Sequence, residues 1–190
     1  MNESHKQVDN KYLKLIEMDS DEQVVCFIKK HPIGLLGIYI TGILIAFTVF
    51  LGGILFASWY QTQPDLQVTA SVGPIVTLIS VLVSLLVIGF TYVAGFIYSN
   101  NVIIVTNEKI AQVLYKNLVD RKTSQLSLGD LQDVTVDQKG LFARIFKYGT
   151  LVIETAGEQN NYNFTYAPYP YEFSKSIVLA REHSIEKYGN

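Results

Sequence analysis

The chain has 190 residues, 49 % of them hydrophobic, with 15 Lys and Arg set against 17 Asp and Glu for a formal net charge of −2. That balance offers no basic footprint for nucleic acid, and a single cysteine, Cys26, excludes an intrachain disulfide. The charges are very unevenly spread: between His31 and Asn107 the one formally charged residue is Asp65. A soluble domain would not leave such a length without Lys, Arg or Glu, so the pattern predicts a membrane protein.

In chain order, residues 1–32 form a charged leader in which Cys26 alternates with Val24 and Ile28 in a short apolar run. That spacing suits a buried, inert thiol. Two apolar runs follow, 33–60 and 74–98, each longer than the ~20 residues a helix needs to cross the hydrocarbon core. The segment 33–98 therefore reads as a transmembrane hairpin, with 61–73 as a short external loop carrying Asp65. Lys6, Lys11, Lys14, Lys29 and Lys30 precede the first run, no Lys or Arg separates the two, and the remaining ten follow the second. Positive charge marks the inside face, so both termini are expected in the cytoplasm of a cell whose plasma (inner) membrane the chain crosses twice. Trp59 and Tyr60 then fall at the outer headgroups and Tyr98 at the inner ones. A cleaved signal peptide fits poorly, since the first run is too long for an h-region and follows a charged leader.

Neither run carries a charged residue, which argues for an anchor rather than a transport pathway. Hydroxyls such as Thr41, Thr48, Ser80, Ser84 and Thr91 can bond back to their own helix carbonyls. Small residues recur four apart, as Gly37 and Thr41, Gly53 and Ala57, Ser80 and Ser84, Thr91 and Gly95. Such pairs let helices approach closely in lipid; the simpler reading is that the two spans pack on each other, the sharper that a second chain uses one face.

From 99 onward the character changes to that of a cytoplasmic α+β domain. Val102–Thr106 and Lys109–Tyr115 read as strands joined by a tight turn at Asn107 and Glu108. Short strands are expected at Gln125–Leu128, Asp133–Gln138, Thr150–Thr155 and Tyr162–Tyr166, punctuated by Gly129, Gly140, Gly149 and the stretch 157–161. A series of short strands needs a bent or closed antiparallel sheet to protect its edges. Tyr171–Tyr188 spaces Phe173, Ile177 and Ala180 at helical intervals and reads as an amphipathic helix, with Pro170 suited to its first turn and Ser184 continuing the stripe less well.

Several segments then become recognisable in their order. Asp21-Glu-Gln-Val-Val-Cys-Phe-Ile-Lys-Lys-His31, Val105-Thr-Asn-Glu-Lys109, Leu128-Gly-Asp-Leu-Gln-Asp-Val134 and Phe142-Ala-Arg-Ile-Phe-Lys-Tyr-Gly149 flank or follow two spans. The set resembles the bacterial pleckstrin-homology-like membrane proteins, the YdbS-like family. The resemblance implies a PH-like fold, a bent antiparallel sheet of about seven strands closed by a C-terminal helix, and a strand at 22–30 ahead of the first span. It brings no shared reaction, no catalytic residues and no cofactor.

The residues themselves offer little chemistry. His5 lies in the leader, His31 at a membrane boundary, and His183 on an exposed helix flank beside Glu186, one imidazole and one carboxylate short of a zinc ligand set. Asp130, Asp133 and Asp137 are interrupted by Val134 and Val136 as a strand face rather than a calcium loop. No nucleophile elbow or phosphate-binding glycine loop occurs, so no enzyme and no metal are expected. Lys29, Lys30, Lys139, Arg144 and Lys147 are candidate contacts to anionic lipid, each worth about 1 kcal/mol near a membrane surface. Tyr162, Tyr166, Tyr169 and Tyr171 crowd the passage from the last strand to the helix; the simpler reading is that these rings pack the helix onto the sheet or rest at the bilayer surface, the sharper that they form the candidate partner surface. The expected function is a membrane-anchored PH-like interaction or scaffold module, a subunit of a membrane assembly with a protein partner or a second copy. The alternative is an anionic-lipid or envelope-stress-linked binding protein.

Overall fold

The computed structural model describes residues 10–16, 18–19, 21–63, 72–155 and 161–188. A short helix α1 (Asn10–Leu13) precedes strand β1 (Val24–Lys29), followed by two long helices, α2 (Pro32–Gln61) and α3 (Val72–Ser99). Strands β2 (Val102–Thr106), β3 (Lys109–Tyr115) and β4 (Arg121–Ser127) come next. A 3-10 turn at Leu128–Asp130 leads to β5 (Leu131–Asp137), the short helix α4 (Leu141–Ile145), β6 (Tyr148–Thr155), β7 (Tyr162–Pro168) and the C-terminal helix α5 (Pro170–Tyr188). Two compact units result, one of Leu35–Phe96 and the other combining the chain up to Gly34 with the chain from Ile97.

The helical unit is held by small residues. Gly42, Ala46 and Ala57 of α2 and Gly73, Ser80, Ser84 and Gly95 of α3 are buried. A Cβ added at Gly42 would strike the Thr91 side chain, one at Gly53 would strike Ser80, and one at Gly95 would meet Tyr39. Close backbone approach is what packs helices where no hydrophobic drive exists between them. The pair Gly37 and Thr41 does not share this seam: Gly37 faces open space and Thr41 is exposed, the seam running through Gly42 instead. Thr48, Ser80, Ser84 and Thr91 each bond a carbonyl in the preceding turn, and Ser84 Oγ also reaches Ala46 O of α2 at 3.0 Å. Large side chains such as Ile43, Leu44, Leu85 and Phe90 point outward and are exposed. Both helices are long and apolar enough to cross a membrane. Asp65 lies outside the described residues.

The second unit is α+β. Its four-stranded sheet runs β1-β2-β3-β4 and its three-stranded sheet β5-β6-β7, all neighbours antiparallel. Cys26, Ile28, Ile103, Val105 and Ile110 of the first sheet meet Leu131, Leu151, Ile153 and Phe164 of the second in one core. Helix α5 closes that core with Phe173, Ile177 and Ala180, and Ser184 is buried on the same face, so the stripe continues further than its polarity suggested. The first sheet is covered on its other side too. Tyr12 and Ile16 of the leader pack with Phe27, Val102, Ile104, Ala111 and Val113, which is why β2 is buried at every position. Strand β4 begins at Arg121 rather than at Gln125; its Arg-Lys-Thr-Ser start lacks apolar alternation because that end of the strand borders solvent.

The leader is locked to the β2–β3 turn by polar groups. Glu22, its side chain fully buried, accepts hydrogen bonds from Thr106 Oγ1 and the Asp19 N–H and pairs with Lys109 Nζ at 3.0 Å. Asn107 exchanges two bonds with Gln23, its Oδ1 accepting at 2.8 Å and its N–H donating at 3.0 Å. The Val-Thr-Asn-Glu-Lys segment is thus the receptor for residues that precede the first long helix.

Because β1 fills both faces of its sheet, residues 100–188 alone leave the core side of β2 open. Each large side chain of β1 contributes about 1.5–3 kcal/mol on burial. Such a fragment is expected to show no cooperative thermal transition by circular dichroism. Joining residues 10–31 to it through a flexible linker should restore one, and equal melting of the two proteins would refute the role given to β1.

Candidate functional site

The end of the α+β unit from which α2 leaves and to which α3 returns is organised around His31. Pro32 takes the first helical position of α2, where its missing N–H costs nothing. His31 Nδ1 then accepts the Ile33 N–H at 3.1 Å, the role a capping side chain fills. Its backbone N–H donates to Tyr166 O at 2.6 Å and its carbonyl accepts from Tyr98 Oη at 2.7 Å. The imidazole lies 5.7 Å from the Tyr148 ring, which stacks on Tyr166 at 5.3 Å. One residue therefore ties the first turn of α2, the last turn of α3 and sheet two together. Burial holds the His31 imidazole below its ordinary value, consistent with a neutral ring that accepts at Nδ1. Beside it, Lys30 is half-buried, donates to Thr165 Oγ1 at 3.2 Å and lies 5.1 Å from the Tyr98 ring centre; burial pushes its amine down.

Helix α4 sits at this same end, between β5 and β6. Gly140 precedes it at the N-cap with a φ of 92°, a conformation L side chains rarely adopt. Gln138 Nε2 braces it by donating to Ala143 O at 2.8 Å and Tyr148 O at 3.1 Å. The turn buries only Ala143, at 2 % exposure, while Leu141, Phe142 and Ile145 stand 70, 68 and 61 % exposed. Phe146 is exposed as well and stacks on Phe142. Next to the helix is a cleft of about 320 Å³ lined by Asp137, Lys139, Ala143, Tyr148, Thr165 and Tyr166. The sequence signal for this patch was legible as four large apolar residues among Lys139, Arg144 and Lys147, but a five-residue helix has no periodicity that tells outward from inward.

Of the tyrosines singled out in the sequence, Tyr162 is a correction: it is buried in the core, and burial pushes its phenol up. Tyr166, Tyr169 and Tyr171 are exposed. They do not form one patch, because Tyr166 stacks into the His31 joint while Tyr171 begins α5. Tyr166, inside β7, and Tyr169, between β7 and α5, both have positive φ. Among the basic residues, Lys29 lies over the Phe27 and Tyr12 rings, covering the leader face. Lys139 pairs with Asp137 at 2.6 Å. Arg144 and Lys147 are exposed at α4, and Lys147 lies over the Tyr169 ring.

The acidic residues are accounted for locally. Asp133 accepts from its neighbour Val134 and from Thr135, and Asp137 holds Lys139, a solvated strand face. Asp19, Glu22 and Glu108 bring carboxylates together, but Glu22 is already committed to Lys109 and Thr106. His183 and Glu186 are exposed at 3.8 Å. A cavity of about 530 Å³ between β3, β4 and β7 is lined by Gln112, Lys122, Ser124, Gln125 and Asn163 among others. Leu114 and Tyr162 complete a lining of amides, hydroxyls, an amine and one aliphatic side chain.

Seven strands in two antiparallel sheets, folded over one core and closed by a C-terminal helix, define a PH-like domain, a class of binding modules that is generally non-catalytic. The chain matches the family model described as Bacterial PH domain over residues 32–177, more than half of its length, and belongs to that family. The match takes in both long helices and stops short of β1. No curated protein and no solved structure matches the chain.

The His31 cap gives a pH dependence with a defined sign. Its folded-state pKa is lowered, so the unfolded chain takes up a proton first; the stability it contributes is full above the ordinary imidazole value of about 6.5 and is lost as pH falls below it. Protonation also removes the Nδ1 acceptor and sets a positive charge at a helix N-terminus. Thermal unfolding of the full chain in detergent between pH 7.5 and 5 should therefore show a midpoint falling with acid. His31→Asn keeps a capping acceptor and should flatten the profile, while His31→Ala loses about 1 kcal/mol at neutral pH. An unchanged slope in His31→Asn would rule the histidine out.

Proposed function

We propose that the chain is a membrane-anchored adaptor: α2 and α3 cross the plasma membrane as a hairpin and hold the PH-like domain at its cytoplasmic face, where it binds a protein partner within a membrane assembly. The observation that carries this reading is the pairing of β1 with β2. Residues on either side of the two long helices form one sheet, so they share a compartment, and crossing helices between them must cross as a pair. The exposed apolar surface of both helices suits lipid. The bias of Lys and Arg to the flanks supports an inside location for the shared compartment.

The partner surface follows α5. Tyr171, Val178 and Ile185 are exposed at intervals of seven residues, with Leu179 beside them, a stripe that a helix or a groove could cover. Tyr169 extends it toward the sheet. Exposed Lys175 and Glu182 alternate with these apolar side chains along the same face, the mixed composition of a recognition surface.

Topology is readable by thiol labelling. Cys26 is buried and its thiol pushed up to about 12, so the native chain should stay unlabelled by maleimide until denatured. Against that silent background, Thr62→Cys should label with an impermeant reagent in intact cells, and Asp130→Cys only after permeabilisation. The reverse order would overturn the orientation. For the partner, a photoreactive residue at Val178 should give a discrete crosslinked species in native membranes that Tyr171→Ala weakens several-fold. Equal crosslinking from Gln125, on the polar edge strand, would deny α5 a specific role.

A further inference from the structure

We propose that α4 is a second, interfacial membrane contact: Leu141, Phe142, Ile145 and Phe146 enter the headgroup–acyl boundary of the same bilayer, and Arg144 and Lys147 meet its anionic headgroups. The inference rests on the reading that α2 and α3 span that bilayer.

The helix is built the wrong way round for folding. Its one inward position goes to Ala143, and its large apolar side chains are held outward by a braced turn, with Gln138 bonded to the carbonyls of Ala143 and Tyr148. Exposed aromatic and aliphatic groups flanked by Lys and Arg are the composition of segments that lie in a membrane interface.

Position supports the same occupant. The contacts of His31 with Tyr148 and Tyr166, and the register of Tyr148 with Pro168, place the β5–β6 connection where the chain leaves this unit at Gly34 and returns at Ile97. The β3–β4 turn projects from that end too, since Val102 pairs with Val113 and Tyr115 with Arg121. That turn carries exposed Leu118 and Val119 beside Lys116, Arg121 and Lys122. Two apolar tips, each with basic flanks, thus share the end to which both long helices attach. Of the acid groups at this end, Asp137 pairs with Lys139 and Asp120 accepts from Asn117, while Glu172 is exposed in the first turn of α5. The opposite end of the sheets carries Glu108 and Asp130 at its turns. Such a polarity matches an anionic surface at the α4 end.

The test uses the full chain in nanodiscs of mixed phosphatidylcholine and phosphatidylglycerol, with Cys26 as the silent background. An environment-sensitive fluorophore on Phe142→Cys should lose half or more of its emission to a shallow lipid-borne nitroxide and little to aqueous iodide. The same fluorophore on Asp130→Cys should respond in the opposite way, and one on Leu85→Cys only to a deep nitroxide. Leu141→Asp with Ile145→Asp changes two exposed positions and should return the Phe142 label to iodide. If Leu85 responds as expected while Phe142 remains open to iodide, the interfacial contact is wrong and the spanning reading stands. A Phe142 label shielded from both quenchers would assign α4 to a protein contact and equally overturn the proposal. Failure at Leu85 would overturn both readings.

Discussion

Strand β1 lies before two long apolar helices and pairs with β2 beyond them, and most other features of the chain depend on that pairing. It supplies Cys26 and Ile28 to one core and Phe27 to another. The Glu22–Lys109–Thr106 cluster and the Asn107–Gln23 exchange fix its register. An ion pair this buried must be matched on both sides, because a lone charge there would be costly. The Val-Thr-Asn-Glu-Lys segment is thereby explained by physics: three of its side chains bind the leader.

The joint at His31 follows from the same arrangement. A strand that ends at Lys29 and a helix that begins at Pro32 leave two residues in which the chain must turn. His31 satisfies the turn with its backbone N–H, its carbonyl and its ring nitrogen. Tyr98 closes it from the far side of the helical pair, where Gly34 has no side chain to obstruct the phenol. The helical pair rests on hydroxyls bonded to carbonyls and on a seam of small residues.

Much of the domain was legible in the sequence because alternation and helical spacing report burial on one face. Val102–Thr106, Lys109–Tyr115 and the Phe173–Ile177–Ala180 stripe fall where the pattern puts them. Misreadings came where a partner was distant in sequence. Tyr162 looked like part of a surface cluster, yet it faces the core from β7. Gly37 and Thr41 had the spacing of a helix seam, but the rotation of α2 against α3 selects Gly42. The leader's Tyr12 and Ile16 gave no periodic signal, since one short turn is enough to cover a sheet already formed.

The sequence by itself determined that two long segments are apolar enough to cross a membrane and that an α+β domain follows them. These are local properties, set by apolar runs, alternation and residue type. Tertiary structure decided which residues the domain shares across the helices, where His31 stands, and that α4 presents its large side chains outward. Each of those is a juxtaposition of segments tens of residues apart, and period and composition carry no record of what lies opposite a given face.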